Sequence, residues 1–426
     1  MIDVKLILEK PEYVKAALAK KMWDFDPAPI QELSKRRLEL LKKVESNKAE
    51  QNALSASVPA VKKEGGDVKA IFEKVKALGA ANKQDEAELN EVEAKIKALV
   101  EVLPNLPDDD LAPGYKENNK PFYHFGEERK FDFPMKDHVE LAESLGLIDY
   151  KRAAKISGSG TWMYTNLGAR LEWALLNYFI DTHLKDGYEM ILPPHILNYE
   201  SGYTAGQFPK FQEDVFYLEG MEPRKFLLPT AETALVNVYR NEILPASELP
   251  KKFFAYTPCY RKEAGSYRTE ERGMIRGYQF NKVEMVQYTT QEGSDAAFEE
   301  MVKKAQALVE GLGLTYQMDK LAAGDCSHSM ARTHDIEVWI PSMGIYKEVS
   351  SVSNARDYQA RRGMIRYKGE DGKTKFCHTL NGSGLATSRV FPAILEQYQQ
   401  ADGSVIVPEV LRKYLGGLEV LKPIKK

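Results

Sequence analysis

Two apolar repeats that mirror each other govern the first quarter of the chain. Counting from Ile30 in steps of three and four gives Leu33, Arg37, Leu40, Val44, Asn47, Gln51, Leu54, Val58 and Val61, and seven of these ten positions are apolar. Counting likewise from Val68 gives Ile71, Val75, Leu78, Asn82, Asp85, Leu89, Val92, Ile96 and Leu99, with eight of ten apolar. Both fit the a/d seam of a heptad repeat. Ile30 mirrors Leu99 and Val61 mirrors Val68, every such pair of numbers totalling 129. Gly65-Gly66 at the midpoint is a turn signal, so reversal there lays one seam along the other. The pattern predicts an antiparallel two-helix arm with its tip near 64–66. About 32 residues per helix at ~1.5 Å rise project ~48 Å. Asn47 falls opposite Asn82, and a buried Asn pair fixes register at some cost in stability. Pro59 predicts a kink or a break near the tip. Residues 30–99 hold 14 Lys/Arg and 12 Asp/Glu, a net of +2. The pattern leaves two uses open: a solvated spacer or dimer handle, and a nucleic-acid arm.

The whole chain of 426 residues is long enough for two or three domains. Its 59 basic and 62 acidic residues give −3, which excludes a bulk polycation. Nucleic-acid contact must then come from a local patch or from shape, and DNA is not expected as a partner. Three widely spaced cysteines, Cys259, Cys326 and Cys377, indicate no disulfide framework and point to a reducing cytosol. No apolar run approaches the ~18–20 residues that span a bilayer. Asp3 and Lys5 interrupt what would be the core of a signal peptide. The expectation is a cytoplasmic protein with no membrane partner.

After Leu103 the run Pro104-Asn105-Leu106-Pro107-Asp108-Asp109-Asp110 reads as a linker. The domains predicted are a helical arm over 1–104 and a second domain over 105–426. In the latter, helices are expected at 168–184, 298–312 and 390–400. Strands are expected at Tyr188–Leu192, Phe253–Tyr260, Tyr278–Gln287, Ile336–Ile340 and Ile345–Val349. Strands that follow strands favour an antiparallel sheet, hence an α+β fold. There is no phosphate loop of the Gly-x-x-x-x-Gly-Lys kind and no dinucleotide fingerprint.

The densest chemistry is Pro258-Cys259-Tyr260-Arg261-Lys262-Glu263, continued after a loop by Arg276-Gly277-Tyr278-Gln279-Phe280-Asn281-Lys282-Val283-Glu284. On strands, Arg261 and Glu263 share a face, as do Phe280, Lys282 and Glu284. Such a face suits a nucleotide: Arg for phosphate, a ring for the base, a carboxylate for an ammonium or hydroxyl. It equally suits a surface lattice of ion pairs over a core Phe. The segment resembles motif 2 of class II aminoacyl-tRNA synthetases, in particular the seryl-tRNA synthetases. Asn381-Gly382-Ser383-Gly384-Leu385-Ala386-Thr387-Ser388-Arg389 resembles motif 3. The helix at 168–184 with Pro193 resembles motif 1, the dimer-forming segment. Leu228-Pro229-Thr230-Ala231-Glu232 resembles the serine-recognition stretch. Asp335 to Pro341 and Lys347 to Asn354 resemble the segment that completes the seryl site. The mirrored arm is similar to the family's N-terminal tRNA-binding coiled coil.

This resemblance implies a homodimer that uses ATP and Mg²⁺ to activate L-serine and load it onto tRNA(Ser), and onto tRNA(Sec) where that is present. It implies a class II catalytic domain, an antiparallel sheet flanked by helices, over 105–426. Arg261 and Arg389 are implied as the catalytic pair, Arg261 on the α-phosphate and Arg389 on the far phosphates. Glu263 would meet the adenine edge and Phe280 stack on its ring, with Lys262, Gly277, Val349 and Ser350 also touching ATP. Gly382 and Gly384 would permit close backbone approach. Glu348 and Ser351 would give oxygen ligands to Mg²⁺. Thr230, Ala231, Glu232, Arg261, Glu284, Asn354 and Ser383 would form the serine pocket. A divergent paralogue with another amino acid or acceptor is the alternative, and a catalytically dead scaffold a third.

Four stretches depart from the family pattern. Gly324-Asp325 is followed by Cys326-Ser327-His328-Ser329-Met330, and Val352 replaces a cysteine. Thr387-Ser388 stands for the more frequent Val-Gly, and the loop Ser266–Gly273 differs at its third and fourth residues. Cys326, His328 and His334 invite a zinc reading, but their spacing is not that of a common zinc site. A divergent loop is the expectation.

Overall fold

The computed structural model describes residues 1–263 and 273–424. Two compact units result. One is Ile2–Ala19 with Trp23–Leu103; the other is Met1, Lys20–Met22 and Pro104–Lys426.

The first unit is dominated by two long helices, Ala28–Lys63 and Val68–Glu101. They reverse where the glycines stand: Gly65 takes φ of 74°, and Asp67 caps the second helix through Lys69 N–H at 2.9 Å. Ion pairs across the arm join Arg36 to Glu88, Arg37 to Glu93, Lys43 to Asp85, Lys48 to Glu86 and Lys74 to Glu50. Their paired numbers total between 124 and 134, close to the 129 of the seams, so the arm is antiparallel in the expected register. Two expectations change, at Asn82 and Leu99, and of the kink or break expected at Pro59 the break does not form. The first helix runs unbroken through Pro59 to Lys63; with the helix ending four residues on, few turns depend on the lost hydrogen bond. Asn82 is buried, but neither of its amide atoms is hydrogen-bonded, so no Asn47–Asn82 bond forms. Leu99 is exposed and Val100 is buried in its stead.

The second unit is built on an eight-stranded sheet. Its strands are β1 (Lys120–Phe125), β2 (Glu189–Met190), β3 (Lys251–Tyr260), β4 (Gln279–Thr289), β5 (Tyr316–Lys320), β6 (Arg332–Ile340), β7 (Ile345–Asn354) and β8 (His378–Ala386). Their spatial order is β1-β5-β6-β7-β8-β4-β3-β2. All pairs are antiparallel except β2 with β3, at one edge. The sequence pattern missed β1, β5 and β8. Gly382 and Gly384 weaken the strand signal in β8, yet β8 lies in the middle of the sheet. A Cβ at 384 would stand 2.1 Å from Nε2 of His183, and one at 382 would stand 3.0 Å from Val352. These glycines therefore make room for packing against the sheet.

Side-chain alternation gives the sheet two chemically distinct faces. Val283, Met285, Tyr316, Met318, Ile336, Val338, Val352 and Leu380 point to one side. There they join the helices Asn166–Lys185, Ser294–Gly311 and Thr387–Gln397 in one apolar core. The residues between them, Lys282, Glu284, Gln317, Asp319, Thr333, Asp335, Glu337, Ser351, Ser353, Asn381 and Ser383, line the opposite face. One end of that face is roofed by a second apolar cluster, in which Phe253, Val286 and Tyr288 meet Phe226, Leu235 and Tyr367. The rest stays open as a cleft. No described helix is long and apolar enough to cross a membrane.

Candidate active site

The cleft measures about 1230 Å³. Arg261, Glu263, Arg276 and Arg389 line it together with Glu232, Glu284, Glu348, Ser351 and Ser383. Arg261 follows directly on β3 and is anchored by its backbone N–H to Tyr278 O at 3.0 Å and by Nε to Pro229 O at 3.2 Å. Its guanidinium lies 5.1 Å from the centre of the Phe280 ring. The cation thus stands over the face of the ring. Glu263 is held at φ of 49°, a conformation rare for a non-glycine residue. Its carboxylate meets Arg276 at 3.2 Å. Arg389, in the first turn of the helix Thr387–Gln397, donates from Nη1 to the Glu348 carbonyl at 2.7 Å and lies 3.4 Å from its carboxylate.

Glu348 and Ser351 are three apart on one strand, an odd spacing that ordinarily puts side chains on opposite faces. A bulge resolves this: Ile336 pairs with Ser350 but Glu337 pairs with Glu348. The extra residue brings both oxygens into the cleft. Asp335 pairs with Ser351 in the same row. Burial, with the Glu348 charge nearby, pushes the Asp335 carboxyl well up from its usual range.

A second carboxylate group sits deeper. Glu284 is fully buried, accepts Asn381 Nδ2 at 3.0 Å and Ser383 Oγ at 3.3 Å, and pairs with Lys282. Glu232 is buried too and accepts Gln359 Nε2 at 2.7 Å. Burial first, and the Glu284 charge second, push its carboxyl up to about 7. Two acids, a hydroxyl and two amides thus form a small polar cup.

Other residues singled out from the sequence lie behind these walls. Thr230 Oγ1 accepts the Glu232 N–H at 3.4 Å, and Ala231 is part of the roofing cluster. The Lys262 N–H bonds Asp214 O at 3.0 Å. A Cβ on Gly277 would stand 2.2 Å from Trp162. Val349 is in the helix-side core, and Ser350 gives its hydroxyl to Ser383 O at 2.6 Å. Asn354 is buried, with Nδ2 on Ser294 Oγ and Oδ1 on the Arg356 N–H, each at 2.8 Å. Its amide is thereby committed outside the cup. Arg276, Lys282, Asp335, Glu337 and Asn381 also line the cleft and were not singled out for it. The alternation in Asp335-Ile336-Glu337-Val338 is the signal that would have found two of them.

Cys326, His328 and His334 do not converge. The His334 ring lies 4.9 Å from Phe298 and 5.0 Å from Phe122 by ring centroids, with both nitrogens unbonded. Burial lowers it to about 4 and lifts the Cys326 thiol to about 11. Among the described residues no cluster of three metal-ligating side chains occurs. The divergent loop residues from 266 to 272 lie outside the described residues.

A mostly antiparallel sheet, helices on one face, and two arginines with a carboxylate cup on the other define a catalytic core of the class II aminoacyl-tRNA synthetases. Residues 216–398 match the class II tRNA synthetase core domain for glycine, histidine, proline, serine and threonine. Residues 1–107 match the seryl-tRNA synthetase N-terminal domain. A protein named serine–tRNA ligase 2 from Clostridium acetobutylicum is 57% identical over 98% of this chain and 99% of its own. A serine–tRNA ligase from Thermodesulfovibrio yellowstonii is 43% identical over 98% and 99%. The crystal structure of seryl-tRNA synthetase from Pyrococcus horikoshii complexed with ATP superposes with a TM-score of 0.93 at 32% identity, covering all of both chains. The chain belongs to the seryl-tRNA synthetase family.

Proposed function

We propose that this protein is an ATP-dependent serine–tRNA ligase. The single observation that carries this reading is one cleft lined by Arg261 and Arg389 beside the buried Glu232–Glu284 cup. Full-length relatives named for serine and tRNA support it over a change of amino acid or acceptor. The ATP complex of the Pyrococcus horikoshii enzyme supports ATP as the nucleotide.

In the first step a serine carboxylate oxygen attacks the α-phosphorus. The bond to the β-phosphate bridging oxygen breaks, and pyrophosphate leaves seryl-adenylate. Both reactants are anionic, so the guanidiniums offset their repulsion and stabilise charge that grows in the transition state. No side-chain nucleophile is needed; positioning carries the rest. In the second step a ribose hydroxyl at the tRNA 3′ end attacks the acyl carbon and AMP leaves. Glu284 or Glu232 pairs the serine ammonium and the other carboxyl takes its hydroxyl. Alanine would leave that group unpaired, which discriminates strongly.

Glu348 and Ser351 offer the hard oxygen donors that Mg²⁺ prefers, and the bulge places both on the cleft side. Bound there, the ion would neutralise phosphate charge. Lys262, Gly277, Val349 and Ser350 are neighbours of these groups along the chain and are assigned to ATP with them. The arm is assigned to tRNA, and the helix Asn166–Lys185 with its exposed Trp173 to a homodimer interface. Three cysteines without disulfides fit a cytoplasmic protein.

Amino-acid-dependent exchange of pyrophosphate into ATP, run with all twenty amino acids and no tRNA, tests this reading. Serine alone should support exchange. Exchange with a different amino acid, or with none, overturns it.

A further inference from the structure

One carboxylate outside the cleft ties two elements of the site together. Glu172 stands on the helix Asn166–Lys185 and is buried. A single oxygen, Oε1, accepts Asn281 Nδ2 at 2.7 Å and Thr387 Oγ1 at 2.6 Å. Asn281 lies between Phe280 and Lys282 on β4, so its side chain points away from the cleft that Lys282 lines. Thr387 opens the helix that carries Arg389 two residues later. Its hydroxyl also lies 3.2 Å from the Asn281 carbonyl, and Tyr256 OH lies 3.3 Å from Asn281 Oδ1. The strand under the base and the helix that bears the far guanidinium are thus tied to one atom.

Asn281 and Thr387 both bond Oε1, the Tyr164 phenol is a further polar neighbour of the carboxyl, and burial pushes the group up to about 7. Its neighbours are the amide of Asn281, the hydroxyl of Thr387 and the phenols of Tyr164 and Tyr256, none of them cationic. An apolar side chain of similar size would avoid the desolvation cost but would leave Asn281 Nδ2 and the Thr387 hydroxyl without this acceptor. What the acid adds is two directed bonds.

We propose that Glu172 is a positioning residue for the nucleotide: it fixes the Phe280–Lys282 segment relative to Arg389 without touching ATP. The cup has bonds of its own, because Asn381 and Ser383 on β8 both donate to Glu284. Loss of Glu172 should therefore act on ATP and not on serine.

The inference rests on the ligase reading, and serine-dependent exchange by the wild-type protein is the control for that reading. With wild-type exchange in hand, KM for ATP, KM for serine and kcat are measured for Glu172→Leu, Glu172→Gln and Thr387→Val, alongside thermal unfolding. Glu172→Leu should raise KM for ATP about tenfold, the worth of one to two hydrogen bonds, with KM for serine within twofold. Its melting temperature should fall by a few degrees, because Asn281 Nδ2 and the Thr387 hydroxyl lose this acceptor. Glu172→Gln keeps an acceptor oxygen and should stay within about threefold of wild type. Thr387→Val removes one bond and should raise KM for ATP a few-fold. Unchanged KM for ATP in both Glu172→Leu and Thr387→Val, or an equal rise for ATP and serine, overturns the proposal. If Glu172→Leu does not fold, Thr387→Val decides.

Discussion

Replacing Glu232 by glutamine should make the protein more stable at pH 8 while damaging the proposed serine pocket. Burial and the Glu284 charge raise this carboxyl from 4.5 to about 7. The fold therefore favours its protonated form. Below the unfolded value of 4.5 the group is protonated in both states and costs nothing. Between 4.5 and 7 the unfolded chain ionises first, so stability falls as pH rises; above 7 the full penalty applies. The gap of ~2.5 units at ~1.4 kcal/mol each is about 3.5 kcal/mol. Glutamine removes that penalty and keeps an oxygen for Gln359. For a unit of roughly 320 residues, at about 2.1 cal/mol/K per residue, the gain in melting temperature is about 5 °C at pH 8. At pH 5 it should shrink to about 1 °C, because wild-type Glu232 is then mostly protonated when folded. Thermal unfolding of wild type and Glu232→Gln at both pH values, beside serine-dependent exchange, measures each half. A variant that melts no higher than wild type at pH 8, or whose gain is the same at pH 5, refutes the picture of a strained buried acid.

Arg389→Ala removes a guanidinium aimed at the phosphates and should lower exchange about a hundredfold or more at saturating ATP; a loss below threefold takes Arg389 out of the phosphate site. Arg261→Ala should abolish exchange, since it withdraws both a phosphate partner and the cation over Phe280, and retained activity would show the motif 2 assignment to be wrong. Deleting residues 40–89 with a short linker removes matched lengths of both arm helices. Exchange should survive while tRNA charging collapses; full charging would mean that the arm does not read tRNA.

Much of this protein was readable along the chain. The mirrored seams from Ile30 to Leu99 encode both the arm and its register, because an i, i+3, i+4 pattern is a statement about neighbours on one helix. The alternation Val283-Glu284-Met285 likewise separates a helix-covered face from an open one. The strands of motif 2 lie within two residues of where the pattern put them. Other features depend on pairing between distant segments and leave no local trace. The bulge at Val349 joins Glu348 and Ser351 in one cleft although their spacing argues otherwise. Asn354, close in sequence to Ser351, turns instead to Ser294. Asn82, opposite Asn47 by number, makes no bond with it.

Residue types and their period determined the arm, the two-faced sheet and the set of charged groups available for chemistry. Tertiary structure decided which of those groups meet, which acids are desolvated, and that Glu172 on one helix reaches Asn281 and Thr387. The physical reason is range: periodicity reflects forces within a turn or a pleat, whereas burial and electrostatic coupling arise only when strands far apart in sequence lie side by side.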